Sequence, residues 1–224
     1  GSVLPIFFLK KNIILNFDPN VVFYTKYANK SPSYRTRFHS YKNFFNKFKI
    51  NVQTKELFDE NFYNDRIFNN KISFFKLIYF YIFRIKDLLF RKKPFIAIVH
   101  VELLPYIPLI AEFILKVRRI PYIIDIDDAV YFRFKNKKNF FYFVDKIKFK
   151  YMMSNSFSIL AGNHFHVKYL SQYNKNVHYF PTTIDFKKYN YLLHNKKHKI
   201  FTIVWIGTPS TTFYLINIVN ILNK

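Results

Sequence analysis

Three aspartates closing one apolar run are the first residues in this chain whose types and spacing suggest chemistry. Residues 121–127 read PYIIDID and Asp128 follows, so Asp125, Asp127 and Asp128 end a segment otherwise suited to a core. Acids in such a place suffer desolvation and mutual repulsion unless bases, backbone donors or a substrate offset both. Asp128 capping the following turn is the competing structural reading. Asp-x-Asp also suggests a metal, but no nearby His or third acidic cluster supports one, and no metal site is expected. His100 and Glu102, in AIVHVELLP, form a second group; a core histidine at a strand end would equally explain His100. In a third, Ser33, Tyr34, Arg35 and Arg37 lie in SPSYRTR. There, small hydroxyl residues precede two arginines at a helix start, where backbone N–H groups and the dipole favour an anion. A capped helix with solvated arginines is the alternative. Asn163 follows Gly162 at a strand end and suits an N-cap. Gly207, Thr208, Ser210 and Thr211 make a tight turn whose glycine admits close backbone approach and whose hydroxyls suit a diphosphate. No P-loop, zinc spacing, serine elbow or G-x-G-x-x-G is present.

The elements that must position these groups alternate between strand and helix, as in a parallel sheet with crossover helices. Strands are expected over 20–25, 50–55, 95–101, 121–127, 156–162 and 176–181, with a further one over 201–205 outside that sheet. Helices are expected over 38–48, 72–93, 108–118, 139–153 and 163–173, and again after residue 211, while 26–37 and 56–71 read as polar and irregular. In such sheets ligands bind beyond the carboxyl ends of the strands, where the candidate groups fall. The helix over 72–93 carries Lys76 and Arg84 and has fewer than the ~20 consecutive apolar residues a membrane crossing needs. It reads as a core helix, with an interfacial helix as the alternative.

Half of the 224 residues are apolar, which permits a sizeable core and argues against disorder. Cysteine is absent, consistent with a reducing compartment and excluding disulfides and thiolate metal sites. The net charge of +23 invites a polyanion reading, yet the abundance of Lys, Asn, Ile, Phe and Tyr is also what an AT-rich genome imposes. The basic residues occur in short groups, and the aromatic residues sit in apolar periodic segments. No specific nucleic-acid partner is expected. A surface this positive adheres to anionic headgroups in a salt-dependent way. The chain opens on Gly-Ser without an initiator Met, which reads as a fragment edge, and the βα unit after residue 200 lacks a partner strand.

In order and spacing, YRTRF, VELLP, YIIDIDDAVY, ILAGNHFHVKYL, YFPTTID and VWIGTPSTTFYL resemble bacterial glycosyltransferases of family 4 from about residue 20 to the end. That family has the GT-B architecture of two facing Rossmann-like domains and moves a sugar from a nucleotide-sugar to an acceptor hydroxyl, usually with retention. The resemblance implies an N-terminal extension over 1–19 and a doubly wound, Rossmann-like α/β acceptor-side domain over 20–185. A linker over 186–199 and the start of a truncated donor domain over 200–224 would follow. It puts Ser33, Tyr34, Arg35, Arg37, Glu102 and Asn163 at the acceptor cleft. His100, Asp125, Asp127 and Asp128 would act on the transferred sugar or acceptor, and Gly207, Thr208, Ser210 and Thr211 would meet the donor diphosphate. No cofactor is implied beyond the nucleotide-sugar donor. The acceptor would be a glycan or lipid-linked glycan in surface polysaccharide synthesis. The location would be cytoplasmic, at the inner face of the cytoplasmic membrane. Two positions depart from the family: the glycine-rich first loop is here Lys-Ser-Pro-Ser, and the Arg and Lys common after the first donor-domain strand are not evident. The Glu-x7-Glu segment that holds the donor would lie beyond residue 224, so residues 1–224 alone would not complete the reaction. A non-catalytic basic module of the same fold, binding membranes or polyanions, is the alternative.

Overall fold

The computed structural model describes residues 19–69, 71–134, 140–184, 186, 203–207 and 212–222. Its centre is an all-parallel, six-stranded sheet: β1 (Asn20–Thr25), β2 (Asn51–Glu56), β3 (Ile96–His100), β4 (Tyr122–Ile126), β5 (Ser158–Ala161) and β6 (Val177–Tyr179), in the order β2-β1-β3-β4-β5-β6. Helices α1 (Pro32–Arg37), α2 (Lys42–Lys47), α3 (Glu60–Ile67), α4 (Phe74–Phe90), α5 (Ile110–Val117), α6 (Phe140–Asn155) and α7 (His164–Leu170) occupy the connections. The fold is Rossmann-like and doubly wound. Because the path runs from β1 outward to β2 and then returns past β1 to β3, right-handed crossovers place helices on both faces.

Side-chain alternation along the strands feeds two unequal cores. Val22, Tyr24, Ala97, Val99, Ile124, Ile126, Ile159 and Ala161 face one way, into a large cluster with Leu88, Leu115, Met152 and Met153. Val21, Phe23, Ile96 and Ile98 face the other, against Tyr34 and Phe38 from the β1–β2 connection. The smaller cluster is aromatic: the Phe23 and Phe38 rings stack with centroids 3.7 Å apart.

Several expectations need correction. The stretch 56–71 is not irregular throughout: Asp59 caps α3 by accepting the Phe62 N–H at 2.8 Å. Similarly, the helical turn before residue 38 begins at Ser31, which leaves Arg37 in the last turn of α1.

The largest correction concerns α4, which is a core helix on one side only: Leu77, Phe80, Tyr81, Ile85 and Leu88 pack into the large core while its other side is exposed. Only Tyr81, Arg84 and Leu88 are buried, while Phe75 and Phe90 are 84% and 81% exposed. Polar groups of α4 serve the interior as well. Arg84 Nη2 donates to the carbonyls of Thr25 and Lys55 at 3.2 and 3.1 Å, tying α4 to the ends of β1 and β2. Burial lowers the Arg84 pKa to about 10. Asp87 accepts the Tyr24 hydroxyl at 3.0 Å and pairs with Arg91.

Residues 1–184 form one compact unit and 185–224 a second. In the second unit α8 (Thr212–Leu222) is helical as expected. The strand expected over 201–205 is absent from its described part: residues 203–207 are irregular and exposed. A β-strand is stable only when its backbone groups are paired, and the six-stranded sheet does not include these residues. Among the described residues, no helix is long and apolar enough to cross a membrane.

Candidate active site at the carboxyl end of the sheet

The strand order reverses between β1 and β3, and in open parallel sheets such a switch point is where a ligand crevice forms at the carboxyl ends. Helix α1 starts beyond β1, with Ser31 Oγ accepting the Tyr34 N–H at 3.4 Å and Pro32 in the first turn. Three residues apart on a helix share a face, so Tyr34 and Arg37 both turn inward. Tyr34 goes into the small core: its hydroxyl meets Thr54 Oγ1 at 3.0 Å and its ring stacks on Phe23. Arg35 points outward and donates to the Asn29 carbonyl at 2.7 Å.

Arg37 reaches across to β4. Ile123 packs against the small core while Ile124 and Ile126 belong to the large one, so Asp125 projects toward α1. Arg37 Nε donates to both Asp125 oxygens at 3.1 and 2.9 Å, and Nη2 donates to Oδ1 at 2.5 Å. Both side chains are wholly enclosed. The remaining nitrogen, Nη1, donates to Thr182 Oγ1 at 3.1 Å, and the guanidinium lies 5.1 Å from the Phe180 ring centre. Burial pushes the Asp125 carboxyl up, and the hydrogen bonds and charge of Arg37 work against that shift.

His100 lies opposite Asp125 in the β3–β4 register. Its Nε2 is 3.3 Å from Asp127 Oδ1 and 3.8 Å from Asp125 Oδ2, and neither contact has the alignment of a hydrogen bond. The attraction is therefore one of charge. Burial alone would lower the His100 pKa, but the two carboxylates outweigh it and the net direction is up. Asp127 runs the other way. Desolvation would raise it, yet His100, Ser33 and Arg37 together hold its carboxyl well below the usual range. Asp128, exposed, is raised by partial desolvation and by the charge of Asp127.

These shifts set the three neighbouring acids apart chemically. Asp125 is enclosed and committed to Arg37. Asp127 stays ionised and reaches the crevice, where it can orient a hydroxyl but is too weakly basic to take its proton readily. Asp128, with the higher pKa and open access, is the better proton acceptor.

The backbone around these groups is tightly built. Gly162 N–H donates to the Ile126 carbonyl at 2.8 Å, and a Cβ there would come within 3.1 Å of Asp127 Cα. Any larger residue here would require Asp127 or its backbone to shift by a few tenths of an ångström. Val101, between His100 and Glu102, has φ 64°, with the Glu102 N–H donating to the His100 carbonyl at 2.8 Å. A β-branched residue in that region is strained, and such strain gathers at functional sites. Glu102 itself accepts from Lys148 Nζ at 3.2 Å. Asn163 caps α7, accepting the His166 N–H at 2.8 Å. His166 Nε2 lies 3.1 Å from the Asp127 carbonyl oxygen, and its Nδ1 is 2.7 Å from the Tyr131 hydroxyl.

Of the sequence candidates, Ser33, Arg37, His100, Asp125, Asp127 and Asp128 meet in one cluster. Tyr34 lies in the core, Arg35 on the surface, and Glu102 and Asn163 serve contacts of their own. Gly207 is exposed in the second unit, and Thr208, Ser210 and Thr211 fall outside the described residues. Thr182, Tyr131 and His166 lie in the segments YFPTTID, YIIDIDDAVY and ILAGNHFHVKYL but are not singled out there; the fold brings them to the cluster. Among the described residues, no group of three or more His, Asp or Glu side chains is arranged to hold a metal.

No family model matches this chain, and a comparison with curated proteins finds no match.

Proposed function

We propose that the chain is the acceptor-side half of a glycosyltransferase that moves a sugar from a nucleotide-sugar to an acceptor hydroxyl. One observation carries the reading: Arg37, His100, Asp125 and Asp127 converge at the carboxyl end of a parallel sheet by its switch point, where the surrounding groups favour the charged form of a partly buried Asp127. In this proposal Asp127 receives a hydrogen bond from the acceptor hydroxyl and Asp128 accepts its proton. Arg37 and Asp125 lock α1 to β4 so that Ser33 borders the same crevice. The donor diphosphate is assigned to residues 207–211, on the resemblance of VWIGTPSTTFYL to the donor-domain opening of family 4 enzymes. The acceptor is a glycan, free or lipid-linked, and the protein works at the inner face of the cytoplasmic membrane, held there by its net charge of +23.

The test is sugar transfer by the native protein from a panel of nucleotide-sugars to free and lipid-linked glycan acceptors. Transfer with at least one donor–acceptor pair is expected. Binding of neither substrate class, with acidic vesicles still bound, would favour the non-catalytic membrane module.

A further inference from the structure

Helix α4 is apolar on two sides: Tyr81 and Leu88, with Leu77, Phe80 and Ile85, pack into the large core, and a second apolar strip faces out. Its Arg84 and Asp87 serve the interior, while Phe75, Tyr79, Ile82, Lys86 and Leu89 follow one another along its exposed side at helical spacing. Phe74, Ile78, Phe83 and Phe90 widen that strip. Helix α5 packs alongside and adds exposed Phe113 and Val117. Arg118, just after α5, fastens the two helices at their carboxyl ends. Its Nη1 donates to the Leu88 carbonyl at 2.5 Å and its Nη2 to that of Arg91 at 2.6 Å. The result is one firm apolar surface.

Its charge is one-sided. The exposed basic residues are Lys76, Lys86, Lys92 and Lys93 on and after α4, and Lys116 and Arg119 on and after α5. Each helix has a single acid, and neither faces out: Asp87 is taken by Tyr24 and Arg91, and Glu112 is only 2% exposed. Lys76 pairs with Asp65 of α3 at 3.4 Å; the aromatic and aliphatic side chains among the other bases, with no outward carboxylate on α4 or α5 themselves, match the boundary of an anionic bilayer. There apolar groups enter the acyl region and ammonium groups meet headgroup phosphates. A 17-residue helix is about 25 Å long, enough to lie along that boundary.

We infer that the outer face of α4 and α5 is the docking surface through which this domain lies on an anionic lipid bilayer. This rests on the membrane location proposed above and specifies which surface makes the contact. The amino-terminal ends of α4 and α5 lie toward the carboxyl end of the sheet, the end that carries Asp127.

The experiment is co-sedimentation of the full chain with vesicles of phosphatidylglycerol mixed into phosphatidylcholine, compared with phosphatidylcholine alone, at low and high salt. Wild-type protein binds the acidic vesicles at low salt, and Phe75→Ser with Ile82→Ser weakens that binding by about tenfold or more. The chain has no cysteine, so Tyr79→Cys on α4 and Asn43→Cys on α2 each carry a single environment-sensitive fluorophore. The label at position 79 shifts to the blue on acidic vesicles; the one at 43 does not. Undiminished binding of the double variant, with no shift at 79, would overturn this docking face while leaving membrane attachment intact. Failure of the wild type to bind acidic vesicles at low salt would remove the attachment itself. Lipid-free self-association that the double variant abolishes, without vesicle binding, would assign the face to a second copy.

Discussion

At the carboxyl edge of the sheet, Arg37 and Asp125 are shut away from water together, and His100 and Asp127 share a half-enclosed crevice beside them. Along α4 the arrangement is reversed, with Phe75 and Phe90 standing in solvent while Arg84 is buried beneath them. A fold selected for stability alone would put apolar groups inside and charges outside. Buried polar clusters and exposed apolar strips are therefore the informative exceptions. They differ in how they are held. The edge cluster is over-determined by hydrogen bonds from α1, β4 and residue 182, so its members cannot be changed singly without structural cost. The α4 strip holds nothing in place within the domain, and its members can be changed freely.

That contrast can be broken most forcefully at Arg37. Arg37→Ala strands Asp125 without a partner and should cost about 4 kcal/mol in urea unfolding, while Arg37→Met with Asp125→Leu should recover most of it. An equal loss in the double variant would mean that packing, not the unpaired charge, dominates. Within α4 the two sides should separate sharply. Leu88→Ala, on the buried side, should cost about 3 kcal/mol, whereas Phe75→Ser should change stability by no more than about 0.5 kcal/mol. Similar costs at both positions would show that the exposed strip is packed in solution.

At Gly162, alanine should cost about 1 kcal/mol, because the new Cβ must push Asp127 or its backbone aside. An unchanged midpoint would show that β5 gives way without strain.

The edge cluster should also respond to pH through His100. Its folded pKa lies above the ordinary value of 6.5. Its contribution is therefore complete below about 6.5 and lost as pH rises through the higher folded value. The urea midpoint of wild type should fall across that window more than that of His100→Gln. Parallel profiles would mean that the carboxylates do not hold the proton in the folded state.

Much of the sheet is legible in the sequence because its four inner strands are short, mainly apolar runs bounded by polar turns, and Val177 with Tyr179 marks the short edge strand β6. Strand β2 is the exception, with NVQTKE half exposed at an edge, and there only the alternation from Val52 to Thr54 marks it. Helix α3 was missed because ENFYNDRI has no apolar period; Asp59 followed by Glu60, with Arg66 in the last turn, was the available signal. The candidate acids were legible as charges misplaced at the end of an apolar strand. Their different environments were not, since these depend on Arg37, 88 residues away, and on a register that sets His100 beside Asp125. The exposure of α4 was hidden for a similar reason. Periodicity finds an amphipathic helix but does not say which side faces the sheet when Arg84 and Asp87 find partners inside.

The most direct measurement is sugar transfer by Asp127→Asn in the native protein, expressed per folded molecule by measuring its urea unfolding alongside. If the carboxyl edge is the site, transfer falls by about a hundredfold or more while the folded fraction stays near one. Transfer retained per folded molecule, or a loss that only follows the unfolded fraction, would make Asp127 a structural residue and contradict the site.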